Sequence, residues 1–158
     1  MMHRLRRVSC RSFLGVAMTG VALVLPPVPA RAFFHDAPDI EDGRVIYAAK
    51  CASCHGANLE GQPDWQSARE DGTYPAPPHD ETGHTWHHGD AMLRDYIRRG
   101  GQAVLDDMGV DFTSGMPGFG GELTEDDIEA VLAYIRSTWP DRIRAAQAER
   151  SQMEAGSP

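Results

Sequence analysis

Gly43-Arg44-Val45-Ile46-Tyr47-Ala48-Ala49-Lys50-Cys51-Ala52-Ser53-Cys54-His55-Gly56 decides how this chain is read. Cys51 and Cys54 are separated by two residues, and His55 follows directly. This is the spacing of covalent haem attachment. Two thiols on one helical turn reach the two vinyl groups along one porphyrin edge. The next residue then directs an imidazole at the iron from the same side. Three rival uses of the cysteines stand beside this one. A thioredoxin-like redox site needs the pair next to a parallel-sheet pattern, which is lacking. A zinc site needs further ligands, which a histidine-rich loop downstream could supply. A disulfide across so tight a loop would contribute little stability.

Working outward, Ile40 to Lys50 reads as a helix running straight into Cys51. Asp39 can cap it, and Ile40, Val45, Ile46, Tyr47 and Ala49 supply an apolar face. From Gly56 to Asp90 periodicity is weak and Gly, Pro, Asp and His abound, which predicts a long loop with one short helix near Asp64 to Arg69. Asp90 to Arg99 reads as a second helix, with Asp90 as its cap and Met92, Leu93, Tyr96 and Ile97 as its buried face. Gly100-Gly101 ends it. Gly101 to Gly121 is irregular and contains Gly115-Met116-Pro117-Gly118-Phe119. Thr124-Glu125-Asp126-Asp127 opens an acidic, capped helix that carries Ile128, Val131, Leu132, Tyr134 and Ile135 up to Trp139-Pro140. Residues 141–158 are polar and predict a fraying helix with a disordered end. No strand and no internal repeat are evident. Helical bundles do not usually carry so much loop for so little core, and a large apolar cofactor would account for the missing interior.

The N-terminus reads as an export signal. His3, Arg4, Arg6, Arg7 and Arg11 precede an apolar run from Phe13 to Leu25. Pro26, Pro27 and Pro29 break it, and Ala30-Arg31-Ala32 suits cleavage after Ala32. The run is shorter than the roughly 20 residues a membrane span needs. The expected organisation is a signal peptide over 1–32, a flexible lead-in over 33–39, one domain over 40–140 and a polar tail over 141–158, with the mature chain in the periplasm and not stably inserted in a membrane. Residues 1–32 hold five of the 15 Lys and Arg and none of the 23 Asp and Glu. The mature chain is therefore strongly acidic, which argues against nucleic-acid binding. Solubility, or steering towards a positively charged protein, explains that charge equally well.

Haem iron in electron-transfer proteins commonly takes a sulfur opposite the histidine. Of Met92, Met108, Met116 and Met153, Met116 suits that role best. Pro117 pushes it into extended backbone, so that its side chain projects from the loop, and Gly115 and Gly118 let the chain lie against a flat ring. Met92 reads as helix packing, Met153 lies in the tail, and Met108 between acids and a glycine is a weaker candidate.

These residues resemble the class I c-type cytochromes. The stretch quoted first is similar to that family's N-terminal helix and attachment site, Gly115 to Phe119 to its methionine loop, and Leu123 to Ile135 to its C-terminal helix. The resemblance spans roughly Ile40 to Trp139. It implies an all-α, cytochrome c-like fold of three to five short helices around one covalent haem c. It places the crossing of first and last helices near Gly43, Tyr47, Leu132 and Tyr134, and the axial ligands at His55 and Met116. It also implies that a proline carbonyl, of Pro77 or Pro78, accepts the ligand histidine's ring N–H. The expected function is one-electron transfer, without enzymatic turnover, between a donor dehydrogenase or quinol-linked complex and a terminal acceptor. Two alternatives stay open: a cytochrome subunit of a larger oxidoreductase, and a haem enzyme or gas-binding protein with a labile Met116. Unlike many relatives, this chain has almost no lysine. It also has His79, His84, His87 and His88 within ten positions, readable as a second metal site, a docking or proton-linked patch, or loop hydrogen bonding around Trp86.

Overall fold

The computed structural model describes residues 38–156. The segment expected to be a signal peptide, 1–32, and most of the expected lead-in, 33–39, lie outside them. Among the described residues there are six α-helices, one 3₁₀ turn and no strand: α1 Ile40–Lys50, α2 Ala52–His55, the 3₁₀ turn Thr85–His87, α3 Asp90–Arg99, α4 Gly101–Asp107, α5 Glu125–Ser137 and α6 Asp141–Ala155. The all-α expectation holds, with more helices than the three to five expected. A lone parallel bridge joins Thr73 to Thr113. No described helix is long and apolar enough to cross a membrane.

Helix α1 starts where Asp39 accepts the amides of Glu41 (2.8 Å) and Asp42 (3.4 Å). Its buried face is narrower than expected. Gly43 and Tyr47 are buried, whereas Ile40 and Val45 are 50% and 53% exposed. The reason is how closely α1 crosses α5. A Cβ at Gly43 would stand 1.9 Å from the Ala130 carbonyl oxygen and 3.0 Å from Tyr134 Cβ. Only glycine permits that approach, and it leaves no room for a broad apolar stripe. The crossing continues through Tyr47 and Tyr134, whose rings lie 5.4 Å apart.

Helix α5 is held at its start by a full capping box, in which Thr124 and Asp127 exchange bonds with each other's backbone. It then serves two small cores. Val131 and Ile135 join Tyr47, Leu59, Trp139 and Ile143, while Ile128 and Leu132 pack on Leu93 of α3. Leu132 thus faces α3 rather than the α1 crossing.

Three local expectations are corrected. Asp64 to Arg69 forms a turn, not a helix: Asp64 sits at φ +54°, which interrupts helical propagation, and Ser67 closes the turn on the Asp64 carbonyl at 2.8 Å. Gly101 to Asp107 is a helix, split from α3 by Gly100 at φ +87°. The segment read as a fraying tail is α6, 15 residues long, with Ile143 and Gln147 buried. Its docking also replaces the cap expected of Asp90. The first amides of α3 are satisfied by α6: Ser151 Oγ accepts from Asp90 (3.1 Å), and Glu154 accepts from Ala91 (2.8 Å) and Met92 (3.0 Å). Asp90 turns instead to Arg136 (2.6 Å) and Gln147 (2.8 Å).

Candidate haem site

The site begins at the end of α1. Cys51 terminates that helix and its carbonyl accepts the amides of Cys54 (3.1 Å) and His55 (2.9 Å), so the motif coils into the one-turn helix α2. Neither cysteine is in a disulfide; Cys51 is half-buried and Cys54 exposed. Burial and the neighbouring Cys54 push the Cys51 thiol up to about 11, so it rests protonated near neutral pH.

His55 is buried, at 8% exposure. Its Nδ1 lies 2.8 Å from the Pro77 carbonyl oxygen, which makes that nitrogen the N–H donor and leaves Nε2 with its lone pair free. The bond goes to Pro77 and not to Pro78. Pro78 is instead the floor of two close backbone approaches: added Cβ atoms at Gly61 and Gly83 would stand 2.4 Å from its nitrogen and 1.9 Å from its oxygen. Burial depresses the His55 pKa, against a smaller opposing effect of the Pro77 bond, so the ring is held neutral. The Tyr47 hydroxyl donates to the Gly56 carbonyl (3.0 Å) and Gly61 N–H to the His55 carbonyl (2.7 Å), which fixes the backbone beneath the ring.

Met116 lies on the loop packed against the corner between α3 and α4. Its carbonyl accepts from Gly101 (3.1 Å) and its amide donates to Ser114 Oγ (3.2 Å). Phe119 donates to the Ile97 carbonyl at 2.8 Å. A Cβ at Gly118 would meet the Arg99 carbonyl carbon at 2.7 Å, so this glycine serves the loop's seat on the α3 terminus. Met116 is half-buried, whereas Met108 and Met153 are 51% and 62% exposed. The backbone amide of Met92 is held by Glu154.

The four downstream histidines separate. His79 turns inward and its ring stacks on His55, with centroids 3.9 Å apart and planes 21° apart. A ring parallel to His55 and in contact with its face is not opposite His55 across a common iron, so His79 is not placed as a sixth ligand. His84, His87 and His88 stay together, with His84 5.2 Å from His87 and 4.7 Å from His88, centroid to centroid. Among the described residues no group of three or more His, Cys, Asp or Glu is arranged to hold a metal ion.

These residues fit a covalent haem. Two free thiols stand one turn apart, and next to them is a neutral imidazole with one nitrogen engaged and the other unused. The family model described as Cytochrome c matches residues 40–139. The chain belongs to the cytochrome c family. Its cofactor is accordingly haem c, and Cys51 and Cys54 have the spacing of the attachment motif. Among relatives of this cytochrome, the cytochrome bc1 complex cytochrome c subunit of Mycobacterium tuberculosis (strain ATCC 25618 / H37Rv) is 39% identical over 64 residues. That match covers 37% of this chain and 23% of the relative. The subunit of the same name from Mycobacterium bovis gives the same figures. The chain therefore matches less than a quarter of the length of these relatives. Cytochrome c6 of Bumilleriopsis filiformis is 28% identical over 103 residues, 63% of this chain and 91% of that protein. No solved structure matches significantly.

Proposed function

We propose that this cytochrome is a periplasmic one-electron carrier in which His55 Nε2 and Met116 Sδ are the axial ligands of a haem tethered through Cys51 and Cys54. The observation that carries this reading is the placing of His55: buried, and bonded through Nδ1 to the Pro77 carbonyl so that Nε2 is left for iron. When bound, haem supplies a one-electron Fe(III)/Fe(II) couple, whose potential a sulfur ligand raises. The protein's own residues do the rest. Cys51 and Cys54 hold the group irreversibly. Pro77 fixes the tautomer of His55 and raises its basicity as a ligand. The Met116 loop, clamped on the α3–α4 corner, would supply the second ligand to the iron, and an iron so ligated would serve electron transfer rather than substrate turnover. Its redox partners are a donor dehydrogenase or quinol-linked complex on one side and a terminal acceptor on the other. The basic start, short apolar run and small-residue cleavage pattern of residues 1–32 support export.

A second reading, a cytochrome subunit of a larger complex, is favoured by the mycobacterial relatives, which carry that description. Copurification of a stoichiometric partner distinguishes it from a free shuttle. The test common to both is the oxidised spectrum. The wild type is expected to show the weak sulfur-to-iron charge-transfer band. Met116→Ala is expected to abolish it and lower the midpoint potential. A wild type without the band would overturn the Met116 assignment and favour an open iron position.

A further inference from the structure

The hydrogen bond from Nδ1 to Pro77 restrains the His55 ring at one edge against rotation about its Cβ–Cγ bond. A flat surface against the ring face restrains that rotation further. His79 supplies that surface, 3.9 Å from His55 and tilted by only 21°.

His79 is itself held from several elements. Its amide donates to the Leu59 carbonyl at 2.8 Å. Its carbonyl accepts from Nε1 of Trp139, just beyond α5, at 2.7 Å. Its Nδ1 is 2.6 Å from Thr85 Oγ1 in the 3₁₀ turn, and Thr85 is buried. Tyr47 of α1 meets the ring edge-on at 6.1 Å.

We propose that His79 is a positioning residue that sets the plane of the iron-ligating His55 imidazole, and that its aromatic face against that ring favours the oxidised state. This rests on the reading of His55 as the ligand. The His55 ring carries more positive charge when the iron is ferric, and the face of an aromatic ring is its electron-rich side. The stack therefore stabilises the ferric form more than the ferrous.

The test uses the haem-loaded protein in four forms: wild type, His79→Leu, His79→Phe and Thr85→Val. The readouts are the midpoint potential and the pattern of haem-methyl proton shifts in the oxidised protein, which reports the plane of the axial imidazole. His79→Leu fills space without a flat face, and is expected to change the methyl pattern and raise the potential. His79→Phe restores the face and is expected to restore both towards wild type. Thr85→Val keeps the imidazole but releases its orientation, and is expected to shift both in the direction of His79→Leu by less. A His79→Leu protein with wild-type potential and methyl pattern overturns the proposal while leaving His55 as ligand. If that variant fails to fold, an unchanged methyl pattern in Thr85→Val overturns it instead. A wild type lacking a low-spin, histidine-ligated spectrum overturns the ligand assignment and this proposal with it.

Discussion

At the scale of the residue, the chemistry was written locally wherever one side chain's role depends on its immediate neighbours. Cys51 and Cys54 declare themselves, with His55 beside them, by the spacing of the attachment motif, and the proline and glycines around Met116 are what single it out as the proposed second ligand. His79 was legible only as one of four histidines. Its stack on His55 needs Leu59, Thr85 and Trp139 to converge, and no local pattern encodes that convergence. The choice of Pro77 over Pro78 was likewise not legible locally, because it depends on where the His55 ring, 22 residues away, comes to lie. The remaining histidines carry a prediction of their own. Burial, with His84, His87 and Arg150 adding repulsion, pushes His88 down to about 4 from the ordinary 6.5. Between those values the unfolded chain takes up a proton that the folded chain refuses, so stability is full above pH 6.5 and falls as pH drops towards 4. His88→Asn is expected to flatten that slope in denaturant titrations from pH 7 to 4. An unchanged slope would mean that His88 is not a source of the acid sensitivity.

At the scale of the element, the helices around the attachment motif were legible because their caps and apolar spacing lie in consecutive residues: Asp39 before α1, Thr124 with Asp127 before α5. What the spacing did not show was which apolar residues of α1 face inward. The crossing runs through Gly43, a residue without a side chain, and Ile40 and Val45 are left outside. Gly43→Ala forces a methyl to within 1.9 Å of the Ala130 carbonyl oxygen, so the two helices must part. The expected loss is at least the roughly 1–3 kcal/mol of ordinary overpacking, measured by denaturant unfolding of the haem-loaded protein. Thr124→Ala, which removes only the cap, is expected to cost about 1 kcal/mol. If Gly43→Ala were the milder of the two, the close crossing would not be a determinant of the fold. Helix α6 was read as a helix, but as a fraying one, because its attachment is polar: Gln147, Ser151 and Glu154 take up Asp90 and the first amides of α3, so it lacks the apolar stripe by which docked helices are recognised.

At the scale of the whole molecule, two small clusters of buried apolar residues stand beside long loops from Gly56 to Gly89 and from Met108 to Thr124. The sparse core was legible from composition and periodicity, and the family match over residues 40–139 gives it its cause in haem c. The charge of the chain acts at this scale too. With 23 acids against 15 bases over the full sequence, electron exchange with a basic redox protein is expected to slow as ionic strength rises. Stopped-flow rates independent of salt would assign the charge to solubility alone. The central claim, one haem held through Cys51 and Cys54, is tested most directly by intact mass and haem extraction after expression with a haem-maturation system. The account predicts one haem per chain that resists acidified organic solvent and is lost from that fraction in the Cys51→Ala, Cys54→Ala double variant. A colourless wild-type chain with both thiols open to alkylation would contradict it.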